Sequence, residues 1–214
     1  MQERGIGTLV FDREAFIDWL KTNWVELTGN GLNFLCIFLI RANNPWNWPV
    51  GIANCLFYIA IFWPLKLYAD SFLMAVYICL SVYGLWFWLR GGTGGTESSI
   101  TRLRKSESVG WIGLGILIGS FAILWPTLER FTDTDVALFD SALASASFLA
   151  TYLTSRRKVE CWPVWMATNV GYFGLYLHKG LHITQWCQIG FFLLSAVGLW
   201  EWRRWEAEAR CATA

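Results

Sequence analysis

Residues 48–88, WPVGIANCLFYIAIFWPLKLYADSFLMAVYICLSVYGLWFW, decide the fold because most of this stretch returns near the end of the chain. Residues 162–202 read WPVWMATNVGYFGLYLHKGLHITQWCQIGFFLLSAVGLWEW. At a constant shift of 114 positions, residues 26–88 match residues 140–202 at 15 of 63 positions with no gap. The matches include Phe34/Phe148, Trp48/Trp162, Pro49/Pro163, Tyr58/Tyr172, Leu85/Leu199 and Trp88/Trp202. A match of this length indicates an internal duplication.

The composition predicts an integral membrane protein with the lipid bilayer as its solvent. Of 214 residues, 55% are hydrophobic and 15% are charged, which leaves more apolar surface than a soluble domain of this size buries. The 15 Trp and 7 Tyr fit this location, because such side chains collect where hydrocarbon meets lipid head groups. The formal net charge of +1 gives no basis for a nucleic acid partner.

Seven apolar runs are long enough to cross about 30 Å of hydrocarbon as helices. They lie near 25–41, 48–65, 71–89, 110–128, 137–155, 162–178 and 183–202. Before them, residues 8–24 place Phe16, Trp19 and Trp24 near one helical face, which predicts a short interfacial helix. Glycines and serines after the third run predict a flexible linker.

The duplication pairs spans one to three with spans five to seven and leaves span four between them. Four crossings separate the repeats, so both point the same way and the predicted all-α fold is a 3+1+3 arrangement of parallel repeats. Its parts are an N-terminal segment with the interfacial helix (1–24), the first three-helix repeat (25–89), a linker with the connecting helix (90–136), the second three-helix repeat (137–202) and a tail (203–214). The substrate of such a protein is expected between the halves.

Lysines and arginines in the loops predict the orientation. The side that carries the N-terminus has six of them, and the other side has eleven. Since positively charged loops stay in the cytoplasm, we expect the N-terminus outside and the C-terminal tail in the cytoplasm.

Amides within the spans are the first candidates for contact with a substrate. Asn54 in span two and Asn169 in span six lie at nearly equivalent depth in the two repeats, while Gln188 lies in span seven with Gln185 nearer the membrane edge. An amide both donates and accepts hydrogen bonds, which suits hydroxyl and carboxamide groups on a ligand. The alternative is that these amides bond across helices and hold the bundle together.

Aromatic residues near the repeat interface are a second set of candidates. They are Tyr58, Tyr77, Tyr83, Trp165, Tyr172 and Tyr176. Such rings stack on a flat ligand or face a cation. The alternative is a place in the core or at the lipid interface, which so many aromatics must in part occupy.

Glu26 and Asp140 occupy equivalent positions near the predicted starts of spans one and five. The helix dipole favours a carboxylate there, so capping is the preferred interpretation. The alternative is that either carboxylate balances a cationic substrate or carries a proton.

The sequence predicts no enzyme, cofactor or metal site. His178 and His182 are four positions apart, but HKGLH straddles a predicted loop and no Cys, Asp or Glu completes a ligand set. The chain has no P-loop and no GxSxG motif, which argues against an ATPase or a serine hydrolase.

Several motifs stand together along the two repeats. The first repeat carries WNWPVGIANCLFYIAIFW, KLYAD and VYGLWFW, and the second carries LFDSALASASFLATYLTSRRKVECWPVWMATNVGYFGLYLHKGL. From Glu26 to Trp202 the chain thereby resembles the bacterial PnuC family of vitamin transporters, whose best known members carry nicotinamide riboside. The resemblance implies a fold similar to that of the SWEET sugar transporters, assembled as a homotrimer in the bacterial inner membrane. It also implies uptake by facilitated diffusion, with the vitamin trapped by a separate cytoplasmic kinase.

We therefore expect a nicotinamide riboside uniporter that works by alternating access of the two halves. Asn54, Asn169 and Gln188 are the expected polar contacts, and Tyr58 and Tyr172 are the expected stacking residues. A transporter of another vitamin such as thiamine is the next alternative. Two rival classes are an ion-coupled symporter, which needs a buried titratable group, and a membrane scaffold that transports nothing.

Overall fold

The computed structural model describes residues 13–64, 68–92, 95–104, 107–131 and 136–212. These residues form seven α-helices and no β-strand, so the predicted all-α class is confirmed. The helices are α1 (Arg13–Arg41), α2 (Asn47–Phe62), α3 (Tyr68–Arg90), α4 (Ser108–Phe131), α5 (Ala137–Ser155), α6 (Cys161–Lys179) and α7 (His182–Ala212).

Among the described residues, three helical stretches are long and apolar enough to cross a membrane by length and composition alone. They are Ser71–Arg90, Ser108–Phe131 and His182–Cys211, and α2 is a shorter apolar helix. Helix α5 is more polar because it lies inside the bundle, against α3, α4 and α6. It buries Ser141, Ser145 and Ser147, whose small side chains allow neighbouring helices to approach closely.

The start of α1 differs from the prediction of a separate interfacial helix over residues 8–24. Residues 8–12 lie outside the described part of the chain, and residues 13–41 form one uninterrupted helix. No proline occurs in this stretch, so nothing removes a backbone donor at the expected boundary after Trp24. The exposed side chains of Phe16, Trp19 and Trp24 therefore belong to the first turns of α1.

The two repeats build the same tryptophan arrangement. The rings of Trp48 and Trp88 meet edge to face with centroids 5.5 Å apart, and their equivalents Trp162 and Trp202 do so at 5.4 Å. These four residues form what we call the tryptophan core, and all are buried. The duplication read from the sequence is thus visible in the packing.

Each repeat also reaches into the other at the tryptophan core. The indole N–H of Trp88 donates to the carbonyl of Thr154 in the last turn of α5 at 3.0 Å. The indole N–H of Trp202 donates to the carbonyl of Arg41 at the end of α1 at 3.3 Å. Each of these carbonyls lies among the last of its helix, which have no partner within the helix itself. The third helix of each repeat is thereby bound to the first helix of the other.

The linker is bound to this end of the bundle, which corrects the prediction of a flexible segment. The amide N–H of Ser98 donates to the carbonyl of Trp88 at 3.2 Å, and Thr101 exchanges backbone hydrogen bonds with the turn after α5. Lys158 of that turn pairs with Glu107 at 2.6 Å. Composition missed this because glycine and serine content reports local freedom and not contacts with distant residues. Residues 93–94 and 105–106 of the linker lie outside the described residues.

Candidate functional site

Two aromatic pairs at the ends of α2 and α6 mark the candidate site. Tyr58 stacks on Phe62 with ring centroids 5.5 Å apart and an interplanar angle of 24°. Tyr172 stacks on Tyr176 at 5.6 Å and 14°. The pairs are equivalent at the shift of 114, and the phenol groups of Tyr58 and Tyr176 lie near each other. We call these four residues the seam cluster, because they bring the two repeats together.

The seam cluster lies away from the tryptophan core. Trp48 is near the start of α2, and Tyr58 is ten residues further along, which corresponds to about 15 Å along a helix axis. Tyr77 of α3 extends the cluster, since it packs on Phe148 with centroids 4.9 Å apart and lies near Tyr172. The site therefore has walls from both repeats.

Carboxylates of both repeats flank the cluster. The carboxyl groups of Glu26 and Asp140, which are themselves equivalent positions, lie near the phenol of Tyr176. Glu26 accepts hydrogen bonds from the backbone N–H of Thr184 at 2.7 Å and from its hydroxyl at 2.5 Å. It therefore caps the N-terminus of α7, where the dipole favours negative charge. The predicted capping role applies to a different helix from the expected one, because Glu26 lies in the middle of α1.

The predicted amides are buried and carry unused hydrogen-bonding atoms. Asn54 is 7% exposed, and its Nδ2 donates to Oδ1 of Asn33 at 2.8 Å. Asn54 Oδ1 and Asn169 Nδ2 are buried atoms with no partner among the described residues. Asn169 is 6% exposed. Because a buried unpaired polar atom is costly, such atoms mark places where a ligand or water completes the hydrogen bonding.

The remaining predicted residues lie in different parts of the bundle. Gln188 is buried on α7, and Gln185 is buried with its Oε1 3.4 Å from His182 Nδ1. Trp165 donates to the hydroxyl of Thr154 at 3.1 Å and packs against the tryptophan core. Tyr83 lies at the same end, where it accepts a hydrogen bond from Arg156. Within the described ranges, no three His, Cys, Asp or Glu side chains form a group able to hold a metal ion.

Four contributors to the site were not predicted from the sequence. They are Asn33, Phe62, Ser147 and Thr184. Asn33 carries the same signal as Asn54, an amide within an apolar run, and Phe62 is the repeat equivalent of Tyr176. Thr184 carries no such signal, because its role depends on a contact with Glu26, 158 positions earlier in the chain.

Comparisons with known proteins identify the family of this chain. The family model described as nicotinamide mononucleotide transporter matches residues 23–204. The chain is 23% identical over 211 residues to the nicotinamide riboside transporter PnuC of Escherichia coli (strain K12), a match that covers 88% of this chain and 87% of that protein. The PnuC of Shigella flexneri matches to the same extent.

A solved structure has the same fold. The crystal structure of the vitamin B3 transporter PnuC superimposes with a TM-score of 0.69 at 15% sequence identity, covering 91% of this chain and 87% of that one. The relatives are named as transporters, not enzymes. Since the family model spans most of the sequence, this chain belongs to the nicotinamide mononucleotide transporter family.

Proposed function

We propose that this protein carries nicotinamide riboside across the bacterial inner membrane by facilitated diffusion, with its N-terminus outside and its C-terminus in the cytoplasm. The relatives named as nicotinamide riboside transporters support the substrate class. The excess of Lys and Arg on the side of the tryptophan core supports the orientation.

One observation carries the proposal: each repeat places a stacked aromatic pair on the same helix as a buried amide with an unpaired atom. Nicotinamide riboside has a flat cationic ring, a carboxamide and a ribose. The pairs Tyr58–Phe62 and Tyr172–Tyr176 suit the ring, since a cation over an aromatic face gains about 0.5–2 kcal/mol. Asn54 and Asn169 suit the polar groups, and Gln188 remains a candidate for the ribose.

The carboxylates of the seam favour the nucleoside over its mononucleotide. Glu26 and Asp140 both lie near Tyr176, so a phosphate dianion near this ring would meet two negative charges. The cationic ring of nicotinamide riboside gains from the same charges. A cytoplasmic kinase that phosphorylates the imported nucleoside would therefore trap it without any contact with the transporter.

Transport requires the two halves to expose the seam alternately to each side. In this structure the tryptophan core joins the repeats at one end, through Trp88 and Trp202, and Glu26 joins α1 to α7 near the other. We propose that the halves rock about the seam while α4 keeps them in register. The outer face of α4, with exposed Trp111, Ile118 and Ile123, is available to lipid or to the neighbouring copies of a homotrimer.

The test is uptake of labelled nicotinamide riboside into liposomes that contain the purified protein. We expect saturable uptake that needs no ion gradient, and weaker binding of nicotinamide mononucleotide, thiamine and riboflavin. Asn169→Leu should abolish binding without changing the melting temperature, and Val170→Ala, an exposed neighbour, should leave binding unchanged.

Each rival predicts a different result. Tighter binding of thiamine or of the mononucleotide would replace the proposed substrate. Proton or sodium flux driven by the substrate would identify a symporter and direct attention to Glu26 and Asp140. If no compound is taken up or bound, the interpretation of the protein as a membrane scaffold would be favoured.

A further inference from the structure

Equivalent positions on α1 and α5 support candidate ligand groups in both repeats. Asn33 on α1 accepts a hydrogen bond at 2.8 Å from Nδ2 of Asn54 on α2. Its repeat equivalent, Ser147 on α5, has its hydroxyl 3.5 Å from that of Tyr172 on α6. The Ser147 hydroxyl also donates to the carbonyl of Leu143 at 2.9 Å, so the two helices share a polar side chain at this position, but only Asn33 makes a short hydrogen bond to the next helix.

The contact with Asn33 decides what Asn54 presents to a ligand. Asn54 Nδ2 is occupied by Asn33, while Asn54 Oδ1 is buried with no partner in the described parts of the chain. Asn54 therefore offers an acceptor. Asn169 offers the opposite group, because its unpaired buried atom is the donor Nδ2.

An acceptor and a donor together match a carboxamide. The NH₂ group of a carboxamide donates to an acceptor, and its carbonyl accepts from a donor. A carboxylate has no hydrogen to donate. A carboxylate placed next to Asn54 Oδ1 would therefore leave this oxygen without a hydrogen-bond donor, and the two groups would repel each other. Sites built to hydrogen-bond a donor reject analogues that lack it far more strongly than apolar pockets reject a change in size.

We propose that Asn33 is a positioning residue that fixes the amide of Asn54 and so makes the site select a carboxamide over a carboxylate on the nicotinoyl ring. This rests on the proposed function. Asn33 acts through Asn54, and without it the Asn54 amide is free to turn its NH₂ toward the ligand.

The experiment compares the dissociation constants of nicotinamide riboside and nicotinic acid riboside for the purified full-length protein. We expect the wild type to prefer the carboxamide by about 100-fold or more. Asn33→Leu should reduce this preference about tenfold or more, because a freed Asn54 amide donates to a carboxylate. Asn33→Asp keeps an acceptor oxygen for Asn54 Nδ2 and should retain the preference.

Two further variants keep the result interpretable. Asn33→Ser introduces the residue of the other repeat, which is too short to reach Asn54, and should lose the preference even if the Leu variant does not fold. Asn23→Leu is the matched control, because Asn23 lies on the same helix and donates only to the carbonyl of Trp19 on that helix. Melting temperatures of all variants separate folding from selectivity.

The outcomes separate the two proposals. If the wild type does not bind nicotinamide riboside, the proposed function is wrong. If the wild type binds it and both Asn33→Leu and Asn33→Ser keep the full preference, Asn33 does not position Asn54, although the proposed function stands. A loss of preference in Asn23→Leu as well would also overturn the specific role of Asn33.

Discussion

The tryptophan core and the seam cluster are both built by the duplication, yet they differ in symmetry. In the tryptophan core, equivalent positions hold the same residue, as in Trp48/Trp162 and Trp88/Trp202, and make the same contacts. Within the tryptophan core, the two buried indole N–H groups that have no partner among the described residues are also an equivalent pair, those of Trp48 and Trp162.

In and around the seam cluster, Tyr58 and Tyr172 are identical, but several other equivalent positions hold different residues. Phe62 corresponds to Tyr176, Asn33 to Ser147 and Asn54 to Thr168. The unpaired amide atoms also differ: the first repeat has an acceptor, Asn54 Oδ1, and the second repeat has a donor, Asn169 Nδ2. A rigid joint between two copies can remain symmetric, whereas a site for an asymmetric molecule needs different groups on its two sides.

The largest expected effect is on the tryptophan core. Trp88→Ala and Trp202→Ala should each lower the free energy of unfolding by about 3–5 kcal/mol, since both remove a buried aromatic ring and a hydrogen bond between repeats. Denaturant unfolding in detergent measures this. Trp86→Ala is the control, because Trp86 is on the same helix and exposed. Equal losses in Trp86→Ala, or very unequal losses in the two core variants, would contradict the symmetric joint.

A smaller loss is expected from the contact between Glu26 and the N-terminus of α7. Glu26→Gln should lower the free energy of unfolding by about 1–2 kcal/mol, because a neutral amide caps the N-terminus of α7 less well than a carboxylate. The exposed Glu129→Gln on α4 is the control. An unchanged melting curve for Glu26→Gln would show that this cap does not hold α1 to α7.

The next prediction removes one asymmetry of the seam cluster. Tyr176→Phe makes the second aromatic pair chemically the same as Tyr58–Phe62. We expect binding of nicotinamide riboside to weaken by about tenfold at most, which corresponds to one lost hydrogen bond, with little change in stability. Calorimetric titration measures it. Loss of stability without loss of affinity would assign Tyr176 to packing instead.

The smallest effect concerns the linker and depends on pH. Burial raises the pKa of Glu107, but hydrogen bonds from Lys158 and from the backbone of Arg104, with the charge of Lys158, lower it more, so the net pKa is below its ordinary value. A lowered carboxylate pKa stabilises the folded state above the unfolded value, around pH 4, and this contribution is lost as the pH falls through the folded value. Wild type should therefore melt slightly higher than Glu107→Gln at pH 7, and the difference should vanish in acid. A difference that persists at pH 3 would exclude this pair as its cause.

Much of the candidate site could be predicted because lipid makes polar residues conspicuous. Asn54 and Asn169 stand out in apolar runs, and Tyr58 and Tyr172 are matched by the duplication. Trp165 has the same signal as these tyrosines, yet its helix turns it toward the tryptophan core. The rotation of each helix about its axis decides which of these aromatic side chains reach the seam. This rotation depends on the packing of all neighbouring helices.

The sequence by itself determined the seven helices, the duplication and the positions of the polar residues along those helices, because these depend on local hydropathy and on spacing along one helix. Only the tertiary structure decided that Glu26 caps α7, that Trp88 and Trp202 cross between repeats, and that Asn33 holds Asn54. These contacts join different helices, several of them far apart in the chain. Their partners are fixed when all the helices pack together, and no local pattern encodes that arrangement.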